Sequence, residues 1–376
     1  MLESVILDRA PGRLVRPPVE QETIRVGVIG AGFGADVHLP ALQSLPGVEL
    51  AAICSRRASR AREIATIAGV PHAFDDYREL FASGTVDAVS IAAPPHLHHP
   101  MAVAACEFGI HVLCEKPLAR TAAEARDMLR MAREAGICHS VAFHRRYEPT
   151  HLRVKQFIEQ GFIGELHSVN VIVYRSALAP DHARQFGWLM ERDKGGGVLA
   201  AVGSHYVDLL RWWFGEIHAV SGAISTVVGQ RTNAETGQRQ EVSSDDNTAF
   251  VLRFASGALG SITISYTAVT DVGEEIVISG DRGMLAMHEP DQLVGTRLGG
   301  QIQSLAEAVD TPPTPRERTL LPFQLLTAGW VRAMRSGEDA TPSFEDGAKV
   351  QEVVDSVERS QHLSRWMDLS GKKWPV

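Results

Sequence analysis

The run Ile24-Arg25-Val26-Gly27-Val28-Ile29 passes without interruption into Gly30-Ala31-Gly32-Phe33-Gly34-Ala35, and nothing else in the chain restricts its fold so tightly. A short apolar run followed by a glycine turn and a helical stretch reads as a buried parallel strand entering a crossover. The turn has the G-x-G-x-x-A spacing. Gly30 permits the tight bend, Gly32 lets the backbone approach a pyrophosphate, and Ala35 is small enough for close helix contact. A glycine turn alone is common. The second strand, Val48 to Cys54, arrives where a dinucleotide-binding unit needs it, so Gly30, Gly32, Phe33 and Gly34 are candidate cofactor contacts.

The end of that second strand bears on cofactor choice. An acidic residue about 20 positions beyond the glycines suits the ribose hydroxyls of NAD, whereas an arginine accommodates the 2′-phosphate of NADP. Here the chain reads Cys54-Ser55-Arg56-Arg57, with no carboxylate. This predicts NADP(H) in preference to NAD(H), with Ser55 and Arg56 at the phosphate and Arg57 assisting. The plainer alternative is a solvated start to the helix Ala58 to Ala68.

Strand and helix then alternate as in a doubly wound sheet. Helices are expected over Tyr77 to Ala82 and Pro100 to Phe108, strands over Val86 to Ala92, His111 to Glu115 and Ile137 to Phe143. Thr121 and Glu124 have capping-box spacing ahead of the stripe Ala125, Met128, Leu129 and Ala132, which ends at Gly136. Polar groups collect where these strands end, the edge at which open α/β sheets bind ligands. One such segment is Cys114-Glu115-Lys116-Pro117-Leu118. Pro117 cannot extend a central strand and an X-Pro bond can be cis, so a sharp turn is expected to aim Lys116 into the crevice. Another is Ala93-Pro94-Pro95-His96-Leu97-His98-His99. Its histidines lack acidic or cysteine partners nearby, so the loop is read as cofactor contacts through Ala93, Pro94 and His98, with no metal. His144-Arg145-Arg146-Tyr147 forms a third polar end.

Beyond residue 150 the period changes. After a helix over His151 to Gln160, alternation at period two marks His167 to Tyr174, Ala219 to Val228, Thr248 to Phe254, Gly260 to Thr267 and Glu275 to Ser279. Hairpin turns are expected at Phe254 to Gly260 and Ser279 to Gly283. Strands without intervening helices predict a second, α+β domain with a large, mostly antiparallel open sheet, over 149–339. Gln230 to Ser244 is polar and aperiodic and reads as a mobile surface loop. Leu321 to Arg335 and Phe344 to Trp366 return to helical spacing and are expected to pack back on the first domain, residues 24–148. In the second half, Gly195-Gly196-Gly197 leads into a helix bearing His205, with Asp208 three positions on and nearly on the same face.

At 376 residues and 44% hydrophobic, the chain can form two cores. A net charge of -8 offers no general attraction to nucleic acid or to an anionic membrane. The four cysteines lack metal-ligand spacing and read as reduced core thiols of a cytoplasmic protein. Residues 1–23 carry no apolar signal segment and read as a polar extension, and no run approaches a membrane span.

Together these motifs, in this order, resemble the Gfo/Idh/MocA oxidoreductase family, the glucose-fructose oxidoreductase and inositol dehydrogenase group, over about residues 24 to 370. The resemblance rests on G-x-G-x-x-A, the Pro94 to His98 loop, Glu115-Lys116-Pro117, Arg146-Tyr147, the glycine-rich helix with His205 and Asp208, and the Phe254 to Gly260 hairpin. It implies a Rossmann domain joined to a C-terminal α/β domain whose open sheet often forms homodimers or homotetramers. It also implies hydride transfer between nicotinamide and a sugar, polyol or related carbonyl. By that likeness Lys116 contacts the reacting oxygen and the nicotinamide, Glu115 lies at the cofactor, and His205 is the general acid/base. His144, Arg146, Trp188, Tyr206 and His205 are expected to line a carbohydrate site.

One departure stands out. Many members carry an aspartate four residues before the histidine, and this chain has Ala201. Asp208, Asp193 or a substrate group then has to orient His205, or Lys116 takes more of the proton transfer, or the chemistry has drifted. Two other readings follow: a redox-neutral enzyme that oxidises a glycoside transiently with a retained cofactor, or a non-catalytic cofactor-binding sensor.

Overall fold

The computed structural model describes residues 23–180, 182, 184–288, 292–306 and 314–371. All of the expected N-terminal extension except Thr23 lies outside the described residues. Strands β1 (Ile24–Ile29), β2 (Val48–Cys54), β3 (His72–Phe74), β4 (Ala88–Ile91), β5 (His111–Cys114) and β6 (His139–Val141) form a parallel sheet of six, in the order β3-β2-β1-β4-β5-β6. Chain order reverses between β1 and β4, which opens a ligand crevice beyond their carboxyl ends. Helices α1 (Leu39–Gln43), α2 (Ala58–Ala68), α3 (Tyr77–Ala82), α4 (His98–Glu107) and α5 (Ala122–Glu134) make the crossovers. Val26, Val28, Val89, Ile91, Val112 and Leu113 are fully buried, as continuous apolar strands covered on both faces require. At the start of α5 the Thr121 hydroxyl caps the Glu124 amide, but the Glu124 carboxylate accepts from the Arg120 amide instead of completing the box.

The chain then crosses by α6 (Pro149–Glu159) to β7 (Leu166–Tyr174), α7 (Ser204–Phe214), β8 (Ile217–Ser225), β9 (Gln230–Thr232), β10 (Arg239–Glu241), β11 (Asn247–Phe254), β12 (Leu259–Ser265), β13 (Gly273–Gly280), β14 (Gly283–His288), β15 (Gln292–Arg297) and β16 (Gln303–Ser304). With β17 (Met367–Asp368) at the far edge, all of these strands except β9 and β10 give a nine-stranded sheet, β16-β15-β14-β13-β7-β12-β11-β8-β17. Within this second sheet β7–β12 is the one parallel pair among the described strands, and the other pairs are antiparallel. Along β7, Val169, Val171 and Val173 face the core while Ile172 and Tyr174 face outward, the alternation a half-covered sheet needs.

The stretch from Gln230 to Ser244 departs from its expectation as a mobile loop. It contains the antiparallel ribbon β9–β10, and buried Arg231 donates to the carbonyls of Leu178 and Arg184. An arginine with several donors can pin a polar segment that has no apolar period to reveal it.

Two long helices close the structure. Phe323, Leu326 and Trp330 of α8 (Pro315–Ser336) join Val26, Val28 and Leu42 in one core beneath the first sheet. α9 (Phe344–Leu363) lies against α5, α7, β6 and β8 and so touches both sheets. Gly347 on α9 has no room for a side chain, because a Cβ there would fall 2.7 Å from Leu118, just beyond Lys116. The Lys116–Pro117 and Thr341–Pro342 bonds are cis.

Candidate active site

The glycine turn divides its roles differently from the sequence expectation. Gly30 has φ +130°, and a Cβ there would lie 2.4 Å from the Ala92 carbonyl oxygen, so β1 and the loop after β4 meet backbone to backbone. At Gly32 a Cβ would meet nothing within 4 Å, which leaves the approach to the turn open. Close packing falls to Gly34, where a Cβ would lie 3.1 Å from Ala92 and 3.2 Å from Val28; Ala35 is only half-buried. A π-helical turn over Gly34–His38 follows, such as often marks functional sites. The open backbone at Gly32, beside the crevice, fits a dinucleotide pyrophosphate. Half-buried Ser55 and exposed Arg56 and Arg57 sit at the end of β2. A separate cleft of about 740 Å³ opens between α1, α2 and the start of α8, lined by Phe33, Val37, Pro40, Arg60, Ile64 and Leu320 among others; it includes neither Lys116 nor His205.

Glu115 and Lys116 leave β5 in opposite directions. The Glu115 carboxylate lies 3.1 Å from His38 Nε2 and accepts from the Lys116 amide at 3.0 Å, while His38 Nδ1 is 2.7 Å from the Ser90 hydroxyl. His38 and Ser90 are fully buried and Glu115 nearly so, so this Ser–His–Glu chain braces the strand end. Burial would raise the Glu115 carboxyl, but His38 outweighs it and holds it below the ordinary range. His98 is a second brace, with its ring nitrogens 2.7 Å from the Ala93 carbonyl and 3.0 Å from the Pro117 carbonyl. It ties the loop after β4 to the turn after β5.

The Lys116 ammonium reaches across to the second half of the chain and donates to the Ala201 carbonyl at 2.9 Å. Burial lowers its pKa. Ala201 lies in a π-helical turn, Leu199–Gly203, that runs into α7. This turn is anchored by Asp245, whose carboxylate accepts from the Leu199 amide at 2.8 Å and abuts Gly197, where a Cβ would lie 2.0 Å away. Burial pushes the Asp245 carboxyl up to about 7. Gly195 is also pressed against Pro95, 2.7 Å from where its Cβ would be, so the glycine run is what lets the two halves meet.

His205 emerges one turn later, its ring 5.1 Å from that of His144. Burial, then the neighbouring Lys116, His144 and Arg145 charges, hold His205 well below its ordinary pKa. Burial lowers His144 to about 4. Both rings are therefore neutral near pH 7. The Nδ1 atoms of both are buried without a hydrogen-bond partner.

Other expected site residues have different neighbours. Arg146 is buried and donates to Asp208 at 2.8 Å and to Asp346 at 3.0 Å. It is a structural ion-pair hub, which corrects its expected place on the substrate, and it removes Asp208 as a partner for His205. Tyr206 is likewise corrected: it is fully buried, with its hydroxyl bonded to Glu274 and to Arg145. Asp193 is exposed, and its carbonyl accepts from Arg120. Trp188 begins a short 3₁₀ turn, 37% exposed, with its carbonyl against Gly196.

His38, Asp245 and Glu274 were not legible as site neighbours. Each is a single polar residue without a motif, and only its cross-chain partner gives it a role.

An open glycine turn at the switch point of a parallel sheet, with a lysine and a neutral histidine meeting beside it, belongs to a nicotinamide-dependent oxidoreductase, and fold and site together assign the chain to that class. Comparison with known proteins narrows it. The model for the oxidoreductase family with an NAD-binding Rossmann fold matches residues 24–143, and that for the GFO/IDH/MocA C-terminal domain matches 151–286. The chain belongs to the Gfo/Idh/MocA oxidoreductase family. It is 27% identical to levoglucosan dehydrogenase of Pseudarthrobacter phenanthrenivorans, over 93% of this chain and 98% of that one. It is 30% identical to myo-inositol 2-dehydrogenase of Thermotoga maritima, over 70% and 74%. The structure of levoglucosan dehydrogenase with NADH and L-sorbose superposes with a TM-score of 0.84 at 26% identity, covering 92% of this chain and 98% of that chain.

Proposed function

We propose that this protein transfers a hydride between NADP(H), in preference to NAD(H), and a secondary alcohol or ketone of a sugar, polyol or glycoside, with Lys116 and His205 acting on the reacting oxygen. The observation that carries this is the convergence of Lys116 and His205 from different halves of the chain, with Lys116 Nζ held 2.9 Å from the Ala201 carbonyl. The relatives' names, levoglucosan dehydrogenase and myo-inositol 2-dehydrogenase, support the substrate class.

Gly30, Gly32, Phe33 and Gly34 would hold the pyrophosphate, and Ser55, Arg56 and Arg57 the adenosine ribose and its phosphate. Ala93, Pro94, His98 and Glu115 shape the nicotinamide end. When bound, the nicotinamide supplies the acceptor or donor of the hydride. Neutral His205 takes the proton from the hydroxyl. The Lys116 ammonium donates to the oxygen as alkoxide charge develops, in a site where burial strengthens the interaction. In the reverse direction the same pair polarises and protonates a ketone. His144 and Trp188 border the sugar, Trp188 offering an aromatic face. Residues 24–148 form the cofactor unit and 149–339 the substrate unit, and the outward face of the nine-stranded sheet, with Ile172, Tyr174, Val251 and Leu259 exposed, is the dimer or tetramer contact. The location is cytoplasmic.

The test is nicotinamide absorbance with NADP⁺ and NAD⁺ in parallel across polyols, monosaccharides and glycosides, then NADPH with ketosugars. Reduction of NADP⁺ by a sugar class is the expected result. Silence in both directions with both cofactors overturns the dehydrogenase reading.

A further inference from the structure

The wall formed by Lys116, His144 and His205 is rich in hydrogen-bond donors, and no carboxylate is available to it among the described residues. Each nearby acid is already engaged. Glu115 holds His38 and a backbone amide, Glu274 holds Arg145 and Tyr206, Glu148 lies against His151, Asp208 holds Arg146, and Asp245 caps the Leu199 turn. Lys116 has three N–H groups and one protein acceptor, Ala201. The Nδ1 atoms of His144 and His205, left without partners, add two further unmet polar atoms, which donate when the ring proton sits on Nδ1. Buried polar groups of this kind are costly unless a ligand satisfies them.

We propose that the substrate is an aldonate-type polyhydroxy acid, with its carboxylate seated against Lys116, His144 and His205 and its reacting hydroxyl on the adjoining carbon. This rests on the oxidoreductase reading of the same site. Of the two remaining Lys116 N–H groups, one meets the reacting oxygen and the other the carboxylate. The carbinol carbon loses its hydride to the oxidised nicotinamide, the hydroxyl proton passes to His205, and a 2-oxo acid results. The substrate's negative charge offsets the positive neighbours that otherwise oppose charging of His205, so the acid supplies the counter-charge that the side chain of Ala201 does not.

The experiment compares gluconate and galactonate with glucitol and galactitol, by kcat/KM with NADP⁺ and by calorimetric binding to the protein saturated with NADPH. The set is repeated on Ala201→Asp and on the near-isosteric, uncharged Ala201→Asn, with folding checked by circular dichroism. The acids are expected to bind at least tenfold more tightly than the alditols. Ala201→Asp should abolish that preference and Ala201→Asn retain it. His205 ring resonances in NMR should titrate at higher pH with gluconate bound than without. Alditols bound as tightly as the acids, or an unchanged preference in folded Ala201→Asp, overturns the proposal while leaving sugar oxidation standing. Tight acid binding without any nicotinamide reduction instead overturns the oxidoreductase reading and keeps the acid site.

Discussion

Lys116 has a single protein acceptor and His205 has none at Nδ1, which suits the ligand roles proposed for both. Lys116→Ala should therefore lower kcat by about 10²- to 10³-fold, the range for losing one preorganised donor to a developing oxyanion, with nucleotide affinity little changed. Stopped-flow hydride transfer and NADPH fluorescence titration separate the two, and unchanged turnover sinks the assignment. At the other end of the cofactor site, Arg56→Ala should weaken NADPH by roughly 10-fold or more and leave NADH nearly unaffected, since only NADPH brings a phosphate for a charge-assisted bond. Equal weakening of both would show that Arg56 is merely solvated.

At the scale of elements, the two halves are joined by buried ion pairs. Arg146, after β6, meets Asp208 on α7 and Asp346 on α9. Asp208→Ala leaves the guanidinium buried with one partner fewer and should cost about 3–5 kcal/mol in urea unfolding; a loss within error would show that Asp346 suffices. The pair formed by His151 with Glu148 and Glu274 adds a pH signature. Burial alone would depress His151, but the two carboxylates outweigh it and raise the ring to about 9. Against an unfolded value near 6.5, this stabilisation, on the order of 3 kcal/mol, is complete below pH 6.5 and is lost as pH rises through 9. His144 works on the opposite side: with its folded pKa near 4, its contribution is present above pH 6.5 and lost as pH falls through 4. Unfolding free energies across pH should thus fall on both limbs, and His151→Gln should flatten the alkaline one. An alkaline limb identical in the variant would assign it to other groups.

For the whole molecule, α9 decides whether the parts stand alone. It contributes Phe344, Ala348, Val353 and Val357 to a core shared by both sheets, and β17 beyond it pairs with β8. A chain ending at residue 339 loses that shared core and should show no cooperative thermal transition by circular dichroism. A sharp melt would mean that the first sheet and α8 form a self-sufficient unit.

Local pattern by itself determined the parallel sheet, the dinucleotide turn and the open second sheet, because apolar period and glycine spacing are short-range consequences of backbone geometry. It also marked Lys116 and His205, since motif spacing survives in the chain. The ribbon over β9 and β10 escaped it because its anchor, Arg231, gains meaning only from the carbonyls of Leu178 and Arg184. Tertiary structure alone decided that Asp208 serves Arg146 rather than His205, that Tyr206 points into a buried network, and that Lys116 finds the Ala201 carbonyl 85 residues away. A side chain's partner is fixed by where elements cross, and crossings between residues distant in sequence leave no local period to read.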